Sequence, residues 1–147
     1  MKALVIYDST FGNTKTIAET ICSKLGKDAQ PVYVKDLTKE HLKGIDLLIV
    51  GSPIIAWKPS ENMGKFLAGL KPNQLNGYRA AAFDTRVKLF ISGDGAKKIA
   101  KSLMKAGAEL VIEPQGFFVN DKEGPLLEGE TERAAEWAEK VKQQAKS

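Results

Sequence analysis

The stretch K-A-L-V-I-Y-D-S-T-F-G-N-T, Lys2 to Thr14, decides the fold. Lys2 to Tyr7 is a short apolar run rich in β-formers, and Asp8 to Asn13 is small and mostly polar. From Thr14 onward Ile17, Ala18, Ile21, Cys22 and Leu25 recur at three- and four-residue spacing, the period of a helix with one buried face. A strand that passes into a helix through a tight loop aims several backbone N–H groups at one point, at the positive end of the helix dipole. Such a point attracts a phosphate. Ser9, Thr10 and Thr14 add hydroxyls there, Asn13 adds an amide, and Gly12 has no Cβ to block a close approach. The loop lacks both the lysine-bearing G-x-x-x-x-G-K-[ST] pattern and the G-x-G-x-x-G fingerprint. What remains is a cradle of neutral donors for one terminal phosphate. An ordinary helix N-cap uses the same residue types, and the loop alone does not separate the two.

Beyond the loop, strand-like and helix-like segments alternate. Strands are expected at Pro31 to Lys35, at Asp46 to Val50 and at Tyr78 to Phe83. A further one starts near Glu109, breaks at Pro114 to Gly116 and resumes through Phe117 to Val119. Helices are expected over Thr14 to Leu25, over Glu61 to Leu70 behind Ser60 as N-cap, from Asp94 to Ala106, and over Glu130 to Ala145, with a short turn at Lys39 to Lys43. The alternation predicts an α/β, three-layer domain, a parallel sheet covered on both faces, spanning residues 1–147.

Composition narrows the function. The chain has 147 residues, 43% hydrophobic and 27% charged, with a formal net charge of +4, ordinary for a globular domain. No apolar run is long enough for a membrane helix, so no membrane insertion is expected. The lysines are dispersed, with no basic run interleaved with aromatics, which argues against nucleic acid. One cysteine, Cys22, and one histidine, His41, give no disulfide and no sensible metal site, and fit a cytoplasmic setting. No nucleophile triad or acid–base pair is visible, so no catalytic residues are assigned. The segment G-S-P-I-I-A-W-K-P-S, Gly51 to Ser60, is too apolar for a solvated turn. Pro53, Ile54, Ile55, Ala56 and Trp57 read as a preformed wall for a flat apolar ligand, stiffened by proline. Asp84, Thr85 and Arg86 follow the fourth strand. The plainer readings are a Trp57 that covers a helix end, a Lys58 that points to water, and an Asp84–Arg86 surface ion pair.

Val5 to Ile21, V-I-Y-D-S-T-F-G-N-T-K-T-I-A-E-T-I, resembles the flavodoxin signature through Ser9, Gly12, Thr14, Ala18 and Ile21. The resemblance implies a doubly wound five-stranded parallel sheet of order 2-1-3-4-5. It implies FMN as cofactor, with the phosphate on Ser9, Thr10, Phe11, Gly12, Asn13 and Thr14. It places Pro53 to Lys58 against the isoalloxazine, with Trp57 stacked on it. Asp84, Thr85 and Arg86 would meet the polar edge of the ring, and Phe90 would cover its outer face. The implied function is electron transfer between redox protein partners, a donor reductase and an acceptor enzyme. The alternative is an FMN-dependent NAD(P)H:quinone-type oxidoreductase, for which only Gln115 to Gly129 offers room for a substrate element. Two departures stand out: Phe11 replaces a second threonine, and the net charge is basic where flavodoxins are usually acidic. Pro59 also lacks an N–H, so the Lys58–Pro59 peptide cannot donate to the ring, and weaker stabilisation of its one-electron-reduced form is expected.

Overall fold

The computed structural model describes residues 1–55, 57–88 and 94–146. The Lys2 run forms β1 (Ala3–Tyr7), buried at every position, and the periodic segment behind the loop forms α1 (Asn13–Leu25). Next come β2 (Ala29–Tyr33), two 3₁₀ turns at Val34–Asp36 and Lys39–Leu42, β3 (Leu47–Ile55), β4 (Lys58–Pro59) and α2 (Glu61–Ala68). The chain continues with β5 (Arg79–Val87), α3 (Gly95–Lys105), β6 (Glu109–Leu110), β7 (Gln115–Val119) and α4 (Glu130–Lys146).

The sheet runs β2-β1-β3-β5-β6, with β7 also on β5 and β4 on β3. β2, β1, β3 and β5 pair in parallel, as do β6 and β7 with β5. β6 and β7 together fill the fifth position, so the expected order 2-1-3-4-5 holds with the fifth strand split. β6 pairs with Arg79 and Ala80, β7 with Phe83 to Val87. The chain leaves the ladder between them at Pro114, which has no N–H to donate.

Strand alternation divides the core in two. Ala3, Val5 and Tyr7 face the layer with α1 and α4, where Phe83, Phe117 and Trp137 meet edge to face at about 6 Å. Leu4 and Ile6 face the opposite layer, where Met63, Ile99 and Leu103 come from α2 and α3. Each large apolar side chain buried this way contributes roughly 1.5–3 kcal/mol. Trp137 is a core residue, as its helical position predicts, and Cys22 is buried on the inner face of α1. No described helix is long and apolar enough to cross a membrane.

Besides β2, which lies at Ala29–Tyr33 rather than Pro31 to Lys35 because Val34–Asp36 forms a 3₁₀ turn, two boundaries that shape the site differ from the sequence reading. β3 does not end at Val50 but runs to Ile55 and folds back, Ile55 pairing with Lys58 and Ile54 with Pro59. Ile54 and Ile55 therefore have a strand reason to be there: they form one arm of a hairpin rather than an irregular loop. β5 likewise runs past Phe83 to Val87, so Asp84, Thr85 and Arg86 are strand residues. Both extensions follow from the ladder, because Ser52 pairs with Asp84 and Pro53 with Thr85.

Candidate functional site

The register across the sheet lines up Tyr7, Gly51, Phe83 and Gln115. Just beyond that row, at the carboxyl ends of the strands, stand Asp8, Ser52, Asp84 and Gly116. The sheet reverses its strand order here, and this rim is where open α/β sheets hold ligands.

Asp8, Ser52 and Asp84 are buried polar residues. Asp8 takes the Ser9 N–H at 2.9 Å and the Ser60 hydroxyl at 2.5 Å. Ser52 Oγ accepts the Ser60 N–H, and Ser60 Oγ caps α2 by accepting from the Met63 N–H. Asp84 accepts the Ala96 N–H at 2.8 Å, at the start of α3, and pairs with Arg86. A buried carboxylate thus sits at the positive end of each of these helices. Burial pushes the Asp84 carboxyl above the usual aspartate range, against the pull of Arg86 and the Ala96 N–H. Burial also works against the Arg86 charge, but the Asp84 hydrogen bond and charge outweigh it and hold the guanidinium protonated. The pair is buried, Asp84 fully and Arg86 to 16% exposure, so it is not the surface ion pair of the plainer reading. Gly116 makes room for it, since a Cβ there would lie 2.7 Å from Arg86 Nε.

The loop from Ser9 to Thr14 is not an ordinary N-cap. Gly12 holds the capping position at φ 92 and has no side chain with which to cap α1. Ser9 Oγ instead accepts the N–H groups of Gly12 at 3.1 Å and Lys15 at 3.4 Å. Thr14 Oγ1 bonds Thr85 Oγ1 at 2.8 Å, tying α1 to β5, and Asn13 Nδ2 donates to the Glu123 carbonyl at 3.2 Å. Among the described residues, the N–H groups of Thr10, Phe11, Asn13 and Thr14 have no acceptor. Open N–H groups converging at a helix start form an anion cradle.

A cleft of about 440 Å³ opens beside this cradle. Ser9, Thr10, Phe11, Asn13 and Thr14 line it from the loop, Pro53, Ile54 and Ile55 from β3, and Thr85 and Arg86 from β5. Val87, Val119 and Lys122 complete it; sequence reasoning missed all three. Val87 falls in the loop expected after the fourth strand, Val119 looks like an ordinary strand residue, and Lys122 sits in a polar loop without a motif. Asp84 lies beneath the cleft rather than in its lining, and Gly12 and Lys58 do not line it either. Trp57, at the hairpin tip with φ 73, lines a neighbouring groove instead, and its carbonyl accepts from Lys98 Nζ at 2.9 Å. Ala56 and Phe90 lie outside the described residues. Phe11 and Ile55 in the cleft lining, and Trp57 in the groove, are each about half exposed.

A doubly wound sheet with an anion cradle and an apolar cleft at its switch point defines the class. Within it, the flavodoxin domain family matches residues 4–110, and the chain belongs to that family. Its members carry FMN as cofactor. A flavodoxin of Aquifex aeolicus (strain VF5) is 35% identical over 92 residues, 57% of this chain and 49% of that protein. Flavodoxin 1 of Salmonella typhimurium is 32% identical over 81 residues, 54% of this chain and 46% of that protein. The matches thus span about half the length of these curated relatives. Among solved structures, a flavodoxin from the domain Archaea superposes with a TM-score of 0.82 at 24% identity over 100% of both chains. Oxidised flavodoxin 2 from Bacillus cereus gives 0.81 at 24% identity, over 96% of this chain and 97% of that one.

Proposed function

We propose that this protein is an electron carrier that holds FMN in the cleft and passes electrons between redox proteins. One observation carries the reading: unpartnered N–H groups on the Ser9–Thr14 loop adjoin a cleft of small-ligand size with a stiff apolar wall. The cradle suits a single phosphate, and the apolar residues Pro53, Ile54 and Ile55 in the lining suit a flat ring.

The chain's own residues divide the work. Thr10, Phe11, Asn13 and Thr14 present N–H groups to the phosphate, and Ser9 keeps the loop in shape by accepting from Gly12 and Lys15. The loss of a hydroxyl at Phe11 is partly offset, because its N–H is open. The hairpin excludes water from one face of the cleft, and its base is fixed by Ser52, Ser60 and Asp8. Arg86, clamped by Asp84 and reaching Asp94 at 3.4 Å, supplies a fixed cation at the cleft wall. Bound FMN supplies the redox chemistry, while the protein sets orientation and potential.

Incubation with excess FMN followed by gel filtration tests the proposal. Retained flavin absorption, with about one FMN per chain for the one cleft that adjoins the cradle, is the expected result. Colourless protein after that treatment rejects it. Turnover of NADH and a quinone without an added reductase would instead establish the quinone-reductase alternative.

A further inference from the structure

A second groove adjoins the cleft. It measures about 530 Å³ and lies between the hairpin tip and α3. Its floor is apolar, with Trp57 and Met104 53% and 48% exposed. Exposed large apolar side chains on a rim of charge mark protein contact sites.

The charge is of one sign along the helix. α3 carries Lys97, Lys98, Lys101 and Lys105 and no acidic residue. Lys98 is anchored on the Trp57 carbonyl, and Lys97 stands 3.8 Å from Asp94, which is itself engaged by Arg86. Lys101 has no acceptor among the described residues and lines the groove. Lys58, exposed, follows Trp57 on the hairpin. Two acidic residues, Asp94 and Glu113, also line the groove against Lys97, Lys98 and Lys101. The groove is continuous with the cleft through the hairpin, whose Ile54 lines the cleft and whose Trp57 lines the groove. Ile54 also packs on the start of α3, where a Cβ on Gly95 would fall 1.6 Å from Ile54 Cδ1. Hairpin and α3 therefore form one surface.

Resting on the carrier reading, we infer that this groove docks an acidic redox protein. Trp57 and Met104 form the desolvated centre and the α3 lysines steer carboxylates on the partner. Such steering acts mainly on the rate of encounter and weakens with salt.

The test uses FMN-loaded protein, reduced with dithionite and mixed by stopped flow with a soluble acidic b-type cytochrome, and separately with basic cytochrome c. Reduction of the acidic cytochrome should slow about tenfold from low to high salt, and that of cytochrome c should not slow. Lys97→Glu with Lys101→Glu should slow the acidic reaction about tenfold at low salt, with FMN affinity and unfolding midpoint retained. Lys24→Glu with Lys140→Glu, on the α1 and α4 layer, should change it less than about twofold. Equal losses for the two pairs, or none for the groove pair, overturn the inference. A chain that takes up no FMN sinks the carrier reading separately. Docking is then read from amide NMR shifts on titrating the chain with the same acidic cytochrome: shifts confined to α3 and Trp57 uphold it, and shifts elsewhere or none overturn it.

Discussion

Gly51 faces Phe83 across the β3–β5 ladder, and a Cβ built there would stand 2.0 Å from Phe83 Cζ. Phe83 cannot move aside, because Phe117 and Trp137 pack on it. Overpacking of a filled core costs about 1–3 kcal/mol, and Gly51→Ala should fall at the upper end, read as a lower urea midpoint with an unchanged slope. An unchanged midpoint would mean that Phe83 has room the packing does not show. Ser9 works through the backbone: its Oγ holds two N–H groups that would otherwise be free. Ser9→Ala should raise the FMN dissociation constant roughly five- to tenfold, the worth of about one hydrogen bond, as measured by flavin fluorescence titration. Cys22 illustrates the opposite case, a polar atom made inert. Burial, with a smaller push from Glu19, raises its thiol to about 12. The unfolded thiol ionises first as pH rises, so this group's contribution to stability is full below the ordinary thiol pKa and is lost on the alkaline side. Native protein at pH about 8 should therefore leave Cys22 unmodified by a thiol reagent that reacts at once in urea.

The hairpin of β3 and β4 is the element on which the site turns. It stands because Ser60 serves three partners: it donates to Asp8, accepts from Met63 N–H to cap α2, and lies 3.2 Å from Ser52 Oγ. Ser60→Ala removes the cap and leaves the buried Asp8 carboxylate short of a donor. A loss of about 2 kcal/mol is expected in chemical unfolding, together with weaker FMN binding, since β4 loses its fixed base. Ser60→Thr, which keeps the hydroxyl, should recover most of both. Helices and strand order were legible from period and punctuation: Ile17 to Leu25 announced α1, Ser60 and Asp94 announced two caps, and Pro114 announced the break in the fifth strand. The hairpin was not, because an apolar run with two prolines resembles a stiff loop, and only the pairing of Ile55 with Lys58 makes it a strand. Asp84 and Arg86 were legible as a pair but not as a buried one, since the burial comes from α3 and from the absence of a side chain at Gly116. Trp57 shows the same limit: composition placed it near the cleft, and at the hairpin tip, with φ 73, it lines the adjoining groove.

At the scale of the whole molecule the field has one dominant sign. A formal net charge of +4 and a cleft lined by Arg86 and Lys122 should draw a phosphate dianion from a distance. The cradle itself is neutral N–H groups, so short-range affinity and long-range attraction have separate sources. Salt shortens the range of the field to about 8 Å at physiological strength and about 3 Å at 1 M, but it leaves the hydrogen bonds of the cradle in place. The association rate of FMN should therefore fall several-fold from low to high salt, while the dissociation rate changes little. Stopped-flow quenching of flavin fluorescence measures both. Lys122→Gln should flatten part of that salt dependence and leave the unfolding midpoint unchanged, because Lys122 is exposed and has no ion-pair partner among the described residues. An association rate that rises with salt would show that the phosphate meets a negative local field at the mouth rather than the net charge of the chain, with Asp121 and Glu123, the sequence neighbours of Lys122, the carboxylates to replace next.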